Sequence, residues 1–404
     1  MNLATQITAE PLLFDKLLAP ISQPLEDLNH QPLSQAAEKL KYPVFVRVLL
    51  FRIFAQIRSL RDLTLDLKTD LTARLLGLPP LGVSTLHDGF ARYPVAWLIS
   101  LTQHLTTSYP LGEIAELAAL GQIWAVDSSH WPVVRQLGWL RSAQLTGVRL
   151  HLGLSLNTLC AATFLLTYDA APSVSERACL LAMLQAEVTY VMDRGYLSLA
   201  FCRELMERRA CFVIRERNNS RLHVLAELAV ETHASLDRLT SLSDQIVRLA
   251  RDTDGTILRL VCFTVGGHQF RLLTNRFDLA TWQITLLYAW RWQVELIFRA
   301  WKHTLGGLHL INLSEAGIAA QFHLLLLASL LWTLLQQTAE SLAPTVATDG
   351  ELEPARPRAK TITAHLSEVL QVPWRLLRRG LRLCANCLAQ SFSFYLKERQ
   401  VLKT

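Results

Sequence analysis

The sequence predicts an α/β protein: a mixed sheet flanked by helices, carrying a β-strand insertion and bounded by helical regions at both ends. Short apolar runs at residues 123–126, 149–156, 162–167, 188–192 and 211–215 are interleaved with helical segments at 175–187 and 197–208. That texture belongs to strands joined through flanking helices. Asp254-Gly255 and Gly266-Gly267 stand at the joints of three more strand-like runs, 245–249, 256–265 and 269–274. Such dipeptides between apolar runs signal hairpins. Residues 1–110 show helical spacing, so the strands belong to the middle of the chain.

Taken in order, the N-terminal region comes first. Residues 42–67 mix apolar positions with Arg47, Arg52, Arg58 and Arg61 at near-helical intervals. Gly77-Leu-Pro-Pro80 is a break, since Pro forbids a continuing helix. Ser84 is placed to cap a short helix ending at Arg92. From Lys39 to Arg92 there are nine Lys/Arg against four Asp/Glu. Two readings stand: a DNA-end-binding module of helix, turn and helix, or an ordinary helical bundle. The expected divisions are 1–115 (helical), 116–216 (first part of the core), 217–275 (β insertion), 276–340 (second part of the core) and 341–404 (linker and basic helical tail). From Arg356 onward ten Lys/Arg face two Glu; a solvated helix face is the simpler reading, a DNA contact the alternative.

Composition narrows the class. With 404 residues and 51% hydrophobic content the chain has enough apolar side chain for a large core. A net charge of +6 permits a nucleic-acid partner without requiring one. Seven scattered cysteines, an odd number, fit a reducing, cytoplasmic compartment better than a disulfide framework. Cys384 and Cys387 lack a second ligand pair at zinc-site spacing. The apolar run at 322–335 is too short to span a bilayer and reads as a buried core helix, so no membrane association is expected. The sequence shows no Gly-rich phosphate loop and no nucleophilic Ser or Cys in a familiar setting.

Residues 288–302, YAWRWQVELIFRAWK, carry the chemistry. They contain no Gly or Pro and read as one helix. At about 100° per residue, Tyr288, Arg291, Glu295 and Lys302 fall within an arc of about 60°. That face suits a phosphodiester: cations for phosphates and a carboxylate for a metal ion. The alternative is a solvated charged face. Upstream, 123–126 stops at Asp127 and 188–192 runs into Asp193, and ligands favour strand ends in open α/β sheets. Either aspartate alone reads more readily as a turn or cap residue; both together with Glu295 are harder to account for that way. Three hard carboxylates together match Mg²⁺ or Mn²⁺ rather than Zn²⁺. His130, close after Asp127, is a lesser candidate.

These residues resemble the DDE transposases of bacterial insertion sequences, in the insertion sequence four family with its Tyr-Arg-Glu-Lys signature. Tyr288, Arg291, Glu295 and Lys302 match that signature at each spacing, Asp193-Arg-Gly-Tyr196 resembles the second-aspartate motif, and Trp-Ala-Val-Asp127-Ser resembles the first. The similarity covers about residues 120–335. It implies a ribonuclease-H-like, retroviral-integrase-like core with a β insertion between Asp193 and Glu295. It further implies that Asp127, Asp193 and Glu295 are catalytic and hold two Mg²⁺ or Mn²⁺ ions. Tyr288, Arg291, Trp292, Lys302, Arg194 and Tyr196 would contact DNA, with Trp292 holding a flipped base in a hairpin route. No Trp lies between 217 and 274, so a second stacking aromatic would be Phe263, His268 or Phe270. The implied partners are transposon terminal inverted repeats, target DNA and a second copy of the chain. A related nuclease without strand transfer, or an inactive domesticated DNA-binding copy, are the alternatives; the intact carboxylates speak against the latter.

Overall fold

A computed structural model of the chain describes residues 9–32, 40–69, 73, 77–132, 147–168, 175–216, 222–230, 233, 239–249, 255–265, 267–304 and 309–341. The chain forms two compact units, one of Met1–Gly112 with Arg299–Gln390 and one built on Glu113–Phe298.

The first unit is helical: α1 (Ala9–Asn29), α2 (Tyr42–Ala55), α3 (Leu60–Thr69), α4 (Val83–Arg92) and α5 (Val95–Ser108). The expected helix over 42–67 is therefore two helices. Gln56 takes a left-handed conformation (φ 57°) after Ala55 and stops the first. Gly82, not Ser84, occupies the cap position of α4. Tyr42, Phe45, Phe90, Tyr93 and Trp97 form an aromatic cluster with ring centroids 4.9–5.9 Å apart. Within this unit the later helix Glu315–Ser341 packs against α5, α2, α1 and α4. Its segment Glu315–Leu335 is apolar and long enough to cross a membrane by composition, but 61% of that window is buried inside the structure. It is a core helix, as expected, though longer than the apolar run suggested.

Among the described residues, the second unit is organised by a nine-stranded sheet in the order β3-β2-β1-β4-β5-β9-β8-β7-β6. The strands are β1 (Gln122–Pro132), β2 (Gly147–Ser155), β3 (Cys160–Tyr168), β4 (Val188–Met192), β5 (Cys211–Arg215), β6 (Leu222–Glu227), β7 (Thr240–Leu249), β8 (Ile257–Val265) and β9 (His268–Thr274). Helices α6 (Ala115–Ala118), α7 (Glu176–Ala182), α8 (Leu199–Glu207), α9 (Thr281–Trp290) and α10 (Gln293–Arg299) accompany them; α11 is Glu315–Ser341 of the first unit. Mixed α/β character is thus present as expected. Every residue of β4 and the centre of β5 are buried, the pattern of strands covered on both faces.

The expected antiparallel β insertion is present, and it does not stand apart from the core sheet. Val213, Ile214 and Arg215 of β5 pair antiparallel with Thr274, Leu273 and Leu272 of β9, so β6–β9 extend the same sheet. Gly255 and Gly267, with φ of 72° and 78°, do sit at the hairpin joints. Nor does β1 stop at Asp127. It runs on to Pro132, because β2 pairs with it as far as Gly147. A Cβ at Gly147 would collide with the His130 ring and the Trp131 carbonyl, so only glycine allows that approach. The basic tail from Arg356, with Cys384 and Cys387, lies outside the described residues.

Candidate active site

The site begins with strand register. β1 and β4 run parallel, and their ladder ends at Val126↔Met192. The next residues are Asp127 and Asp193, each one step past the same end of that ladder. Ile123 to Val126 and Val188 to Met192 are buried, so the apolar strands fix both aspartates at the edge of the core. From there the chains diverge. Asp127 stays in β1 opposite Leu152 of β2, while Asp193 leads into a 3₁₀ turn, Arg194–Tyr196.

The third carboxylate arrives on α9 and α10. Residues 288–302 are not one helix: α9 ends at Trp290, α10 starts at Gln293, and Ala300–Thr304 is a π-helical turn. Between the two helices the bonds Arg291 N–H to Tyr288 O (3.1 Å), Val294 N–H to Arg291 O (3.2 Å) and Glu295 N–H to Trp292 O (3.1 Å) skip only three residues. This tightening needs no Gly or Pro. It still keeps Tyr288, Arg291 and Glu295 together. Arg291 Nη2 donates to Glu295 Oε1 at 2.7 Å, and Nη1 lies 3.8 Å from Asp127 Oδ2. The guanidinium carbon sits 5.8 Å from the Tyr288 ring centroid. The Tyr288 hydroxyl donates to Asp193 Oδ1 at 3.4 Å. Arg291 therefore joins Asp127 to Glu295, and Tyr288 joins Asp193 to the same helical segment.

The electrostatics follow from that packing. Burial pushes the Asp127 carboxyl up to about 6; the Ser128 N–H and Arg291 pull it down, and Glu295 and Glu176 push it further up. Burial also raises the Tyr288 phenol, with Asp193 adding to the effect and Arg291 opposing it. For Arg291 burial works against the charge. The Glu295 hydrogen bond and the nearby Tyr288 and Asp127 outweigh it, so the guanidinium holds its proton more tightly than usual.

The other expected residues are spread more widely. Arg194 is exposed beside Asp193, and Trp292 is half-buried. Tyr196 is 2% exposed and packs in the apolar core near Phe201; its ring offers no surface face. Its hydroxyl is buried without a hydrogen-bond partner among the described residues. Lys302 lies in the π-helical turn, assigned to the helical unit, and burial lowers its proton affinity. Of the three candidate stacking aromatics, Phe263 is 5% exposed, and Phe270 stacks on it at 5.2 Å. Phe270 lies 6.0 Å from Tyr288 and has the Arg215 guanidinium over its ring at 4.6 Å. His268 is exposed.

Sequence reasoning missed Ser128, Arg149, Glu176 and Arg177. Glu176 accepts hydrogen bonds from the Ser128 hydroxyl (2.5 Å) and Arg149 Nη1 (3.0 Å). Arg177 donates to the main chain after Asp193. The available signal was Ser175-Glu176 at a helix start, which reads as ordinary capping.

The donor chemistry fits a divalent ion. Asp127 and Glu295 offer hard oxygens and already converge on one cation, the Arg291 guanidinium. Among the described residues no three metal-ligating side chains are close enough to hold an ion as they stand.

Residues 119–331, just over half of the chain, match the family described as Transposase DDE domain. A Sinorhizobium fredii protein named as a transposase, y4zB, is 28% identical over 223 residues, which is 54% of this chain and 61% of that protein. A Geobacillus stearothermophilus protein, named as a transposase for insertion sequence element IS5377, is 28% identical over 149 residues, or 34% of this chain and 37% of that protein. The chain thus spans 61% and 37% of the length of these relatives. A cryo-EM structure of the piggyBac transposase synaptic complex with hairpin DNA overlaps 94% of this chain and 86% of its own, at 13% identity and a TM-score of 0.42.

Proposed function

The chain belongs to the transposase DDE domain family, and on that premise we propose that it is a DNA transposase that cuts at transposon ends and joins the freed 3′-hydroxyl to target DNA. The observation that carries the reading is the parallel register of β1 and β4, whose ladder ends one residue before Asp127 and Asp193, with Glu295 tied to Asp127 through Arg291. We read the order β3-β2-β1-β4-β5, antiparallel on one side of β1 and parallel on the other, as a ribonuclease-H-like core of the insertion sequence four type.

Asp127, Asp193 and Glu295 are the residues that would hold Mg²⁺ or Mn²⁺. Two such ions, when bound, supply Lewis-acid activation of a water or 3′-hydroxyl and stabilise the leaving oxygen. Arg291 and Tyr288 hold the carboxylates in the absence of DNA and turn to the phosphates of the transposon end when it binds. A phosphate competes well for a guanidinium because it offers the same paired oxygens as a carboxylate. Arg194, exposed beside Asp193, adds a phosphate contact. Lys302 adds another, Trp292 stacks on a flipped base in a hairpin route, and Tyr196 supports the turn that carries Arg194. The N-terminal helical region, with nine Lys/Arg against four Asp/Glu from Lys39 to Arg92, binds the transposon end. Two copies acting on paired ends in the cytoplasm complete the reading.

The test is strand cleavage and joining. Purified protein with Mg²⁺ and DNA bearing the terminal repeats that flank its gene should cut at the repeat boundary and join the 3′-ends to a target plasmid. Cuts without joining would reassign the protein as a nuclease. Binding without cuts would mark a DNA-binding relic.

A further inference from the structure

The first turn of α7 places two adjacent side chains on the two aspartate-bearing segments. Glu176 accepts from the Ser128 hydroxyl at 2.5 Å and from Arg149 Nη1 at 3.0 Å. Ser128 directly follows Asp127, and its N–H donates to Asp127 Oδ1 at 2.8 Å. Arg177 reaches the other segment. Its Nε donates to the Tyr196 carbonyl at 3.0 Å, and its Nη2 donates to the carbonyls of Gly195 (3.1 Å) and Leu197 (3.3 Å). Those carbonyls belong to the turn that starts at Asp193, whose own carbonyl accepts the Tyr196 N–H at 3.1 Å. Ser175 fixes the helix start, its hydroxyl accepting the Ala178 N–H at 3.2 Å.

We propose that Glu176 and Arg177 are positioning residues that together set the separation and orientation of the Asp127 and Asp193 carboxylates. The proposal rests on the reading that these carboxylates bind divalent ions. The β1–β4 ladder ends one residue before the aspartates. Past that point the two chains diverge, one into continued strand and one into a 3₁₀ turn. A brace is needed where the ladder no longer supplies one, and α7 spans that place. Its bonds end on Ser128, on Arg149 and on main-chain carbonyls, so they fix the chain around each aspartate without occupying its carboxylate oxygens. The adjacency matters: Glu176 and Arg177 share one rigid turn, so a shift of either strand end is resisted by the other. Hydrogen-bonded groups behind metal ligands commonly contribute about 10–100-fold in metal affinity.

The experiment titrates Mn²⁺ into the full chain and follows free Mn²⁺ by electron paramagnetic resonance, alongside melting temperature. Glu176→Ala and Arg177→Ala should each raise the Mn²⁺ dissociation constant about tenfold or more while melting within a few degrees of the parent. Glu176→Gln keeps an oxygen for the Ser128 hydroxyl and should return the constant to within about threefold of the parent. If an alanine variant does not fold, Ser128→Ala and Arg177→Lys replace the pair, with the same loss expected. Parent-like Mn²⁺ affinity in the folded variants overturns the brace. So does a Gln variant as weak as Ala with a matching fall in melting temperature, which marks a purely structural role. A parent protein that binds no Mn²⁺ overturns the metal reading itself, whereas a parent that binds it while the variants match overturns only the brace.

Discussion

Asp127→Asn should make the protein more stable at neutral pH while removing the proposed cleavage activity. Asp127 is 29% exposed, and its carboxyl is raised from 3.8 to about 6, burial being the main cause. A raised carboxylate means that the charged form is disfavoured in the folded chain. The cost is fully present above the folded value and disappears as pH falls below the unfolded one. A shift of about two units corresponds to about 3 kcal/mol at pH 7, about half of that at pH 5 and little at pH 4. Asn keeps the oxygen that accepts the Ser128 N–H and gives up only the long 3.8 Å contact to Arg291. Equilibrium urea unfolding of parent and variant at pH 7, 5 and 4 measures the difference directly. The gain should shrink steadily with acidification, and Mg²⁺ should stabilise the parent but not the variant. A variant less stable than the parent at pH 7, or a gain that ignores pH, would refute the view that this carboxylate is retained for function at a cost to the fold.

Three further outcomes are expected. Glu295→Gln should abolish cleavage while leaving end binding within a few-fold, because the amide keeps the shape and loses the charge that Arg291 now meets at 2.7 Å; retained turnover would remove Glu295 from the site. Arg291→Ala and Lys302→Ala should each weaken end binding and lower the slope of log affinity against log salt by about one; an unchanged slope would return either residue to a structural role. Arg259→Ala should lower unfolding stability by about 3–5 kcal/mol, because it strands Asp244, which is fully buried and held by Arg259 at 2.6 and 2.9 Å. Asp244 also accepts the hydroxyl of Thr281 at the start of α9, so hydrogen exchange in α9 should rise in that variant, and unchanged exchange would contradict the link.

The sequence made the strands legible wherever apolar runs met turn chemistry: β5 was placed to the residue, and Gly255 and Gly267 marked real hairpin joints. It did not reveal that β5 pairs with β9, since Val213 and Thr274 are far apart in the chain and no local pattern encodes that contact. The continuation of β1 through Ser128 and His130 was hidden for a similar reason: its support comes from β2, which overrides weak local preference. The break between α9 and α10 carries no Gly or Pro and arises from a shift to three-residue bonds, so a uniform helical reading of 288–302 missed it. The spacing of Tyr288, Arg291 and Glu295 survived because i,i+3 and i,i+4 neighbours remain adjacent through such a turn. Glu176 stayed hidden because an acidic residue at a helix start is expected without any site.

The most direct measurement is the anomalous scattering of Mn²⁺ in crystals of the protein with a transposon-end duplex. A peak bridging the carboxylates of Asp127 and Asp193, with Glu295 freed from Arg291 and a ligand of the same centre, is the result predicted here. Ordered DNA with Mn²⁺ bound elsewhere, and Arg291 still joining Glu295 to Asp127, would contradict it.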